Sequence, residues 1–72
     1  MSIKEEELVE KLMKENETFL KAKQAHSELA KQVEELEKKA YLTLQDEMEI
    51  KVLKKKKLAF KDIMERILVE YR

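Results

Sequence analysis

Apolar side chains return along the chain at a helical interval. Leu12, Phe19, Val33 and Ala40 share one heptad position, with His26 standing among them. Leu8, Ala22, Leu29 and Leu36 fill the companion position, which Glu15 interrupts. At about 100° per residue these fall on one stripe, edged by Ala25 and Ala30. Ser2 and Glu5 have capping-box spacing, and Glu5, Glu6 and Glu7 put negative charge at a helix N-terminus. The pattern predicts a first helix from about residue 3 to about residue 40, roughly 55 Å long. A second series, Leu53, Phe60 and Ile67, has Ile50, Met64 and Tyr71 beside it. Val52, Ala59, Ile63 and Leu68 widen that stripe to nearly half the circumference. The second helix is expected over about 44–71, with Arg72 suiting a helix C-terminus.

Between them, residues 40–46 read Ala-Tyr-Leu-Thr-Leu-Gln-Asp, with no Gly, Pro or Asn to force a turn. Thr43 followed by Asp46 is an N-cap signal. Phase supplies a second argument. Continuing the first helix at about 100° per residue from Phe19 puts Leu53 at about 160°, nearly opposite the first stripe. A turn at about 41–43 lets the two stripes meet. The expected fold is therefore all-α: an antiparallel two-helix hairpin of long, coiled-coil-like helices, one domain over residues 1–72. The alternative is one unbroken helix in a coiled-coil oligomer.

One hairpin cannot cover all this apolar surface. Val9, Met13 and Leu20 form a second group about 100° from Phe19. An antiparallel register gathers Leu8, Val9, Leu12, Met13, Leu20, Ile63, Met64, Ile67, Leu68 and Tyr71 at the open end, around Phe19. Each large side chain left wet forgoes about 1.5–3 kcal/mol of burial. These ten residues are the expected self-association surface, and dimerisation into a four-helix bundle is the expected remedy.

Composition narrows the chemistry. The 72 residues include no Gly, Pro, Cys or Trp. Without Cys there are no disulfides, thiolate metal sites or thiol nucleophiles. Without Gly there is no Gly-rich phosphate loop. No apolar run approaches the roughly 20 residues that span a bilayer, and the acidic N-terminus lacks the apolar segment of a signal peptide. A cytoplasmic protein is expected.

Sixteen basic and sixteen acidic side chains balance to zero. Residues 1–40 carry eight Lys and ten Glu; residues 41–72 carry eight Lys and Arg and six Asp and Glu. The first half is thus slightly acidic and the second slightly basic. Pairs at i,i+4 with the acid first, such as Glu17–Lys21, Glu34–Lys38 and Glu35–Lys39, each support a helix by about 0.2–0.5 kcal/mol. A dedicated nucleic-acid module is usually strongly basic, and this chain is not.

His26 is the one histidine and lies on the first stripe. It could serve as a metal ligand, a base or a pH switch. An interior or interface histidine is the favoured reading, because zinc needs several converging ligands. Lys54-Lys55-Lys56-Lys57 is the most conspicuous charge run. On a helix it spreads over about 300°, so it is not one face. Lys54, Lys57 and Lys61 do form a stripe, the candidate anion or nucleic-acid contact, although no interleaved aromatics suggest base stacking. Glu15, at a core-phase position, reads as a register-setting residue or a rim charge. No nucleophile–base set emerges, so no enzymatic activity, catalytic residue, metal, cofactor or small-molecule substrate is expected.

Phe19, His26, Leu29, Val33 and Leu36, then a break, then Asp46-Glu47-x-Glu49, then Leu53-Lys54-Lys55-Lys56-Lys57-Leu58-x2-Lys61-Asp62 with Ile63 and Ile67, form a composite pattern. It resembles the YdcH-like family of small bacterial proteins (domain of unknown function 465) over about residues 16–71. The resemblance implies a short helical hairpin in a bacterial cytoplasm with no established enzymatic activity. It marks His26, Leu53, Lys57, Leu58, Lys61 and Asp62 as matching the family pattern. Linkers in the family often carry Gly or Pro, and this one has neither. The function expected is that of a non-enzymatic, self-associating interaction module, a dimer favoured, whose charged faces are available to a further protein partner. The alternative is a nucleic-acid-binding module using the Lys-rich start of the second helix.

Overall fold

The computed structural model describes residues 3–71. It is all-helical over these residues: α1 (Ile3–Glu15), α2 (Glu17–Glu37) and α3 (Leu44–Tyr71). Ser2 and Arg72, expected at the helix ends, lie outside the described residues.

The single helix expected over about 3–40 is two helices, divided at Asn16. Asn16 has extended backbone, φ −121° and ψ 105°, and its side-chain oxygen accepts a hydrogen bond from the Phe19 N–H at 3.0 Å. Asn, whose short amide satisfies the free N–H groups of a first turn, is among the strongest N-cap residues. The main chain stays bonded through the break. The Asn16 N–H donates to the Leu12 carbonyl at 2.8 Å, and the Leu20 N–H donates to the Asn16 carbonyl at 3.0 Å. One extended residue therefore redirects α1 without leaving these groups unpaired. Glu15, which broke the heptad pattern, ends α1 and is exposed. It is a rim charge, not an interior register-setting residue.

The redirection shows in the dimensions. A straight helix over residues 3–37 would be roughly 52 Å long, and α3 alone accounts for roughly 42 Å. The longest dimension of the chain is 42 Å. So α1 does not prolong α2; it turns in and packs against both α2 and α3.

The hairpin-like part is α2 against α3. Their connection, residues 38–43, is longer than the turn expected at 41–43, because α2 ends at Glu37. Lys38 stays right-handed, φ −75° and ψ −15°, and its N–H still reaches the Glu34 carbonyl at 3.1 Å. No residue among those described has positive φ. The six-residue connection thus reverses the chain without the left-handed residue that tight helix ends usually assign to Gly.

Two apolar clusters lie along the seam. Near the connection, Val33 packs with Ile50 and Leu53, flanked by Leu29 and Leu36. At the far end, Leu12, Phe19 and Leu68 pack together, flanked by Leu8, Val9, Met13, Met64 and Ile67. The antiparallel sense follows, since the start of α3 meets the end of α2 and its end meets the start of α2. Between the clusters Ala22 is buried, while His26, Lys57 and Phe60 are only half-buried. Phe60, expected in the core, is a boundary residue.

Removing the Asn16 cap tests the break. Asn16→Ala is expected to lower stability by about 1 kcal/mol, whereas Asn16→Asp, which keeps a cap acceptor, should change it little. Urea unfolding followed by circular dichroism measures both. Equal stability of the Ala variant and the parent would refute the assigned role of this residue.

Candidate functional site

The seam has two unlike flanks. At 100° per residue, Ala25, Leu29 and Leu36 fall within about 40° of one another on α2, as do Val52, Ala59 and Ile63 on α3. The antiparallel arrangement puts these two sets on the same edge. This edge is apolar, and its Val52 and Ala59 are exposed while the other four are half-buried. The opposite edge carries Lys23, Ala30 and Glu37, seven apart on α2, and Lys54 and Lys61, seven apart on α3. There the Lys54 ammonium sits 3.6 Å from the Glu37 carboxylate, an ion pair across the seam.

Farther along that charged edge the cross-seam pairing does not repeat, since Ala30 stands seven residues before Glu37 while Lys61 stands seven after Lys54, with Glu65 four residues beyond Lys61 on α3. His26 sits among Lys23 of its own helix and Lys57 and Lys61 of α3. Among the described residues, none of these three lysines has a carboxylate within 4 Å, in contrast to Lys54. Partial burial, then the charges of Lys57, Lys23 and Lys61, hold the His26 pKa below its ordinary value. The imidazole is therefore kept neutral near pH 7, with a ring N–H able to donate.

The start of α3 is a built cap. The Asp46 N–H donates to the Thr43 hydroxyl at 3.0 Å, and the Thr43 N–H donates to the Asp46 carboxylate at 3.1 Å. This is a reciprocal capping box, with Asp in the place usually held by Glu. The Lys39 ammonium joins Asp46 at 3.1 Å, so it serves the cap and not the expected pair with Glu35. The Thr43 N–H bond, and then Lys39, lower the Asp46 pKa. Of the local i,i+4 pairs, Glu17–Lys21 closes at 3.1 Å and Glu34–Lys38 at 3.7 Å, both exposed.

The sequence-derived residues separate in space. Among the six family-pattern positions, Leu53 is buried, His26 and Lys57 are half-buried at the seam, and Leu58, Lys61 and Asp62 are exposed. By phase, Asp62 lies on the side of α3 turned away from α2, and Leu58 lies between it and Lys54 of the charged edge. The proposed lysine stripe also divides, because among the described residues Lys54 has a carboxylate within 4 Å while Lys57 and Lys61 have none. The ten-residue association surface needs correction. Leu12 and Leu68 are 1% and 7% exposed, and so lie inside the chain rather than on a docking face. Leu8, Val9 and Met13 of the turned-in α1 pack around them with Met64 and Ile67 of α3. Leu20 and Ile63 are half-buried, and Tyr71 is exposed.

Asn16 and the Glu37–Lys54 pair escaped the sequence reading. The first had a local signal, an Asn followed by Glu17 and then Phe19. The second had none, because it depends on helix register. Among the described residues, no three His, Asp or Glu side chains converge as a metal site would need. No helix there is long and apolar enough to cross a membrane.

Residues 19–68 match a family described as "Protein of unknown function (DUF465)". No curated protein and no solved structure matches the chain.

Two measurements probe this geometry. Thr43→Ala should cost about 1 kcal/mol in urea unfolding by removing the cap acceptor. The His26 effect has a definite sign. With its folded pKa lowered, the unfolded chain takes up the proton first as pH falls through the ordinary histidine value of 6.5. Melting temperature should therefore drop between about pH 7 and about pH 5, and less so in His26→Gln. Identical pH profiles for the parent and the variant would contradict it.

Proposed function

We propose that this chain, which belongs to the DUF465 family of proteins of unknown function, is a non-enzymatic helical module that associates with a second copy through the apolar flank of its α2–α3 seam. The observation that carries the reading is the contrast between the two flanks. One edge holds Ala25, Leu29, Leu36, Val52, Ala59 and Ile63, while the opposite edge is charged. Val52 is 51% exposed and nearby Met48 61%. An exposed aliphatic stripe beside half-buried Leu and Ile needs a cover.

A second copy suits this edge better than a charged ligand. A two-fold arrangement sets the same patch against itself. Lys56 is the one cation near the middle of this flank, and its long stem lets the ammonium reach water at the rim. Two hairpins stacked in this way make a four-helix bundle. The interface differs from the open end expected in the sequence, because α1 already covers much of that end. A non-catalytic role is supported by the surroundings of His26, which are lysines and not a nucleophile or an orienting acid. The absence of Cys suits a reducing cytoplasm. Nucleic-acid binding through Lys54, Lys57 and Lys61 is the second reading, favoured by Lys57 and Lys61 having no carboxylate within 4 Å among the described residues and weakened by the Glu37–Lys54 pair and the zero net charge.

Sedimentation equilibrium tests the association. The parent should show twice its 8.7 kDa mass at micromolar concentration. A Val52→Glu, Ala59→Glu double variant should shift toward monomer, because both positions are exposed in one chain and would be buried in the bundle. A folded parent that stays monomeric over that range would overturn the proposal, as would a double variant that still dimerises fully.

A further inference from the structure

We propose that His26, Lys23, Lys57 and Lys61 form a binding site for a phosphate-type oxyanion on the charged flank of the α2–α3 seam. The chain has an acid for every base, and the same flank pairs Lys54 with Glu37 at 3.6 Å. Seven residues before Glu37 stands Ala30, and seven after Lys54 stands Lys61. The next cross-seam pair therefore has its cation and lacks its anion. Lys57, one turn before Lys61, has no acid three or four residues away in sequence, whereas Lys61 has Glu65 four residues on. Lys23 on α2 adds a third ammonium.

Like charges at i,i+4 destabilise a helix, and three cations around one imidazole add to that repulsion. A bound oxyanion would relieve it. Lys57 and His26 are half-buried at the seam, so part of the contact is shielded from water, where charge-assisted bonds strengthen. The cluster offers three ammonium groups and a neutral ring N–H, and no carboxylate among the described residues lies within 4 Å of the lysines to repel an anion. That donor set fits a doubly or triply charged oxyanion, such as free pyrophosphate or the phosphates of a nucleotide. The site lies on the edge opposite the apolar flank, so it does not depend on dimerisation.

The lone histidine makes the test direct. Its ring C–H proton resonance is followed by NMR against pH, with pyrophosphate, with a short DNA duplex, or with chloride at matched ionic strength. The groups facing His26 are Lys23 from α2 and Lys57 and Lys61 from α3. Bound pyrophosphate should offset their repulsion and raise the His26 pKa, with saturable binding that chloride does not reproduce. Lys57→Gln with Lys61→Gln should weaken binding at least about tenfold, since charged hydrogen bonds contribute about 1.5–3 kcal/mol each. Lys55→Gln, on the outer side of α3, should leave it unchanged. Ala30→Glu offers an independent check, because it places an internal carboxylate opposite Lys61; it should raise the His26 pKa without added anion and block pyrophosphate. An equal response to chloride, equal weakening by Lys55→Gln, or a response to the duplex and none to pyrophosphate would each overturn the proposal.

Discussion

Phe19 is where the three helices meet. It packs between Leu12 of α1 and Leu68 of α3, and both Phe19 and Leu12 are 1% exposed. Burying a large apolar side chain contributes about 1.5–3 kcal/mol, and few such side chains are buried in a chain of this size. The contact is possible because Asn16 stands three residues before Phe19. Its extended backbone turns α1 toward α3, and its side chain caps the N–H of Phe19 itself. The cap and the buried ring are thus one device. Without the bend, Leu12 would lie along a straight extension of α2, where α3 could not cover it together with Phe19.

That constraint divides the molecule's work. The far end of the hairpin is filled in part from within by α1, and the two edges of the seam run along the rest of it. Its two edges differ in chemistry because the helices run antiparallel. The apolar edge of α2 then falls beside the apolar edge of α3, and the charged edges likewise. Proposed self-association uses one edge, and the proposed anion site uses the other. The middle of the seam, around His26, Lys57 and Phe60, is the least buried part and separates the two apolar clusters.

Much of the secondary structure was legible in the residues. The capping pair Thr43 and Asp46 forms, and α3 begins at Leu44. Heptad spacing placed Leu12, Phe19, Ala22 and Val33 on one buried stripe. It did not show the division at Asn16, because periodicity averages over many residues while a cap is a single-residue event. It also overestimated the exposed surface of the open end. A long straight helix leaves Leu12 bare, and only the folded chain shows α1 bending to hide it.

The sequence by itself determined that this chain is helical, where its apolar stripes lie, and how α3 starts, because these depend on spacing and on neighbours within a turn. The tertiary structure decided which side chains from different helices share an edge. It brings Glu37 to Lys54 and sets His26 among Lys23, Lys57 and Lys61, and it turns α1 inward over Leu68. Those outcomes depend on register and on the angle between helices. Both are set by the packing of residues far apart in the chain, such as Phe19 and Leu68, and no local pattern encodes them.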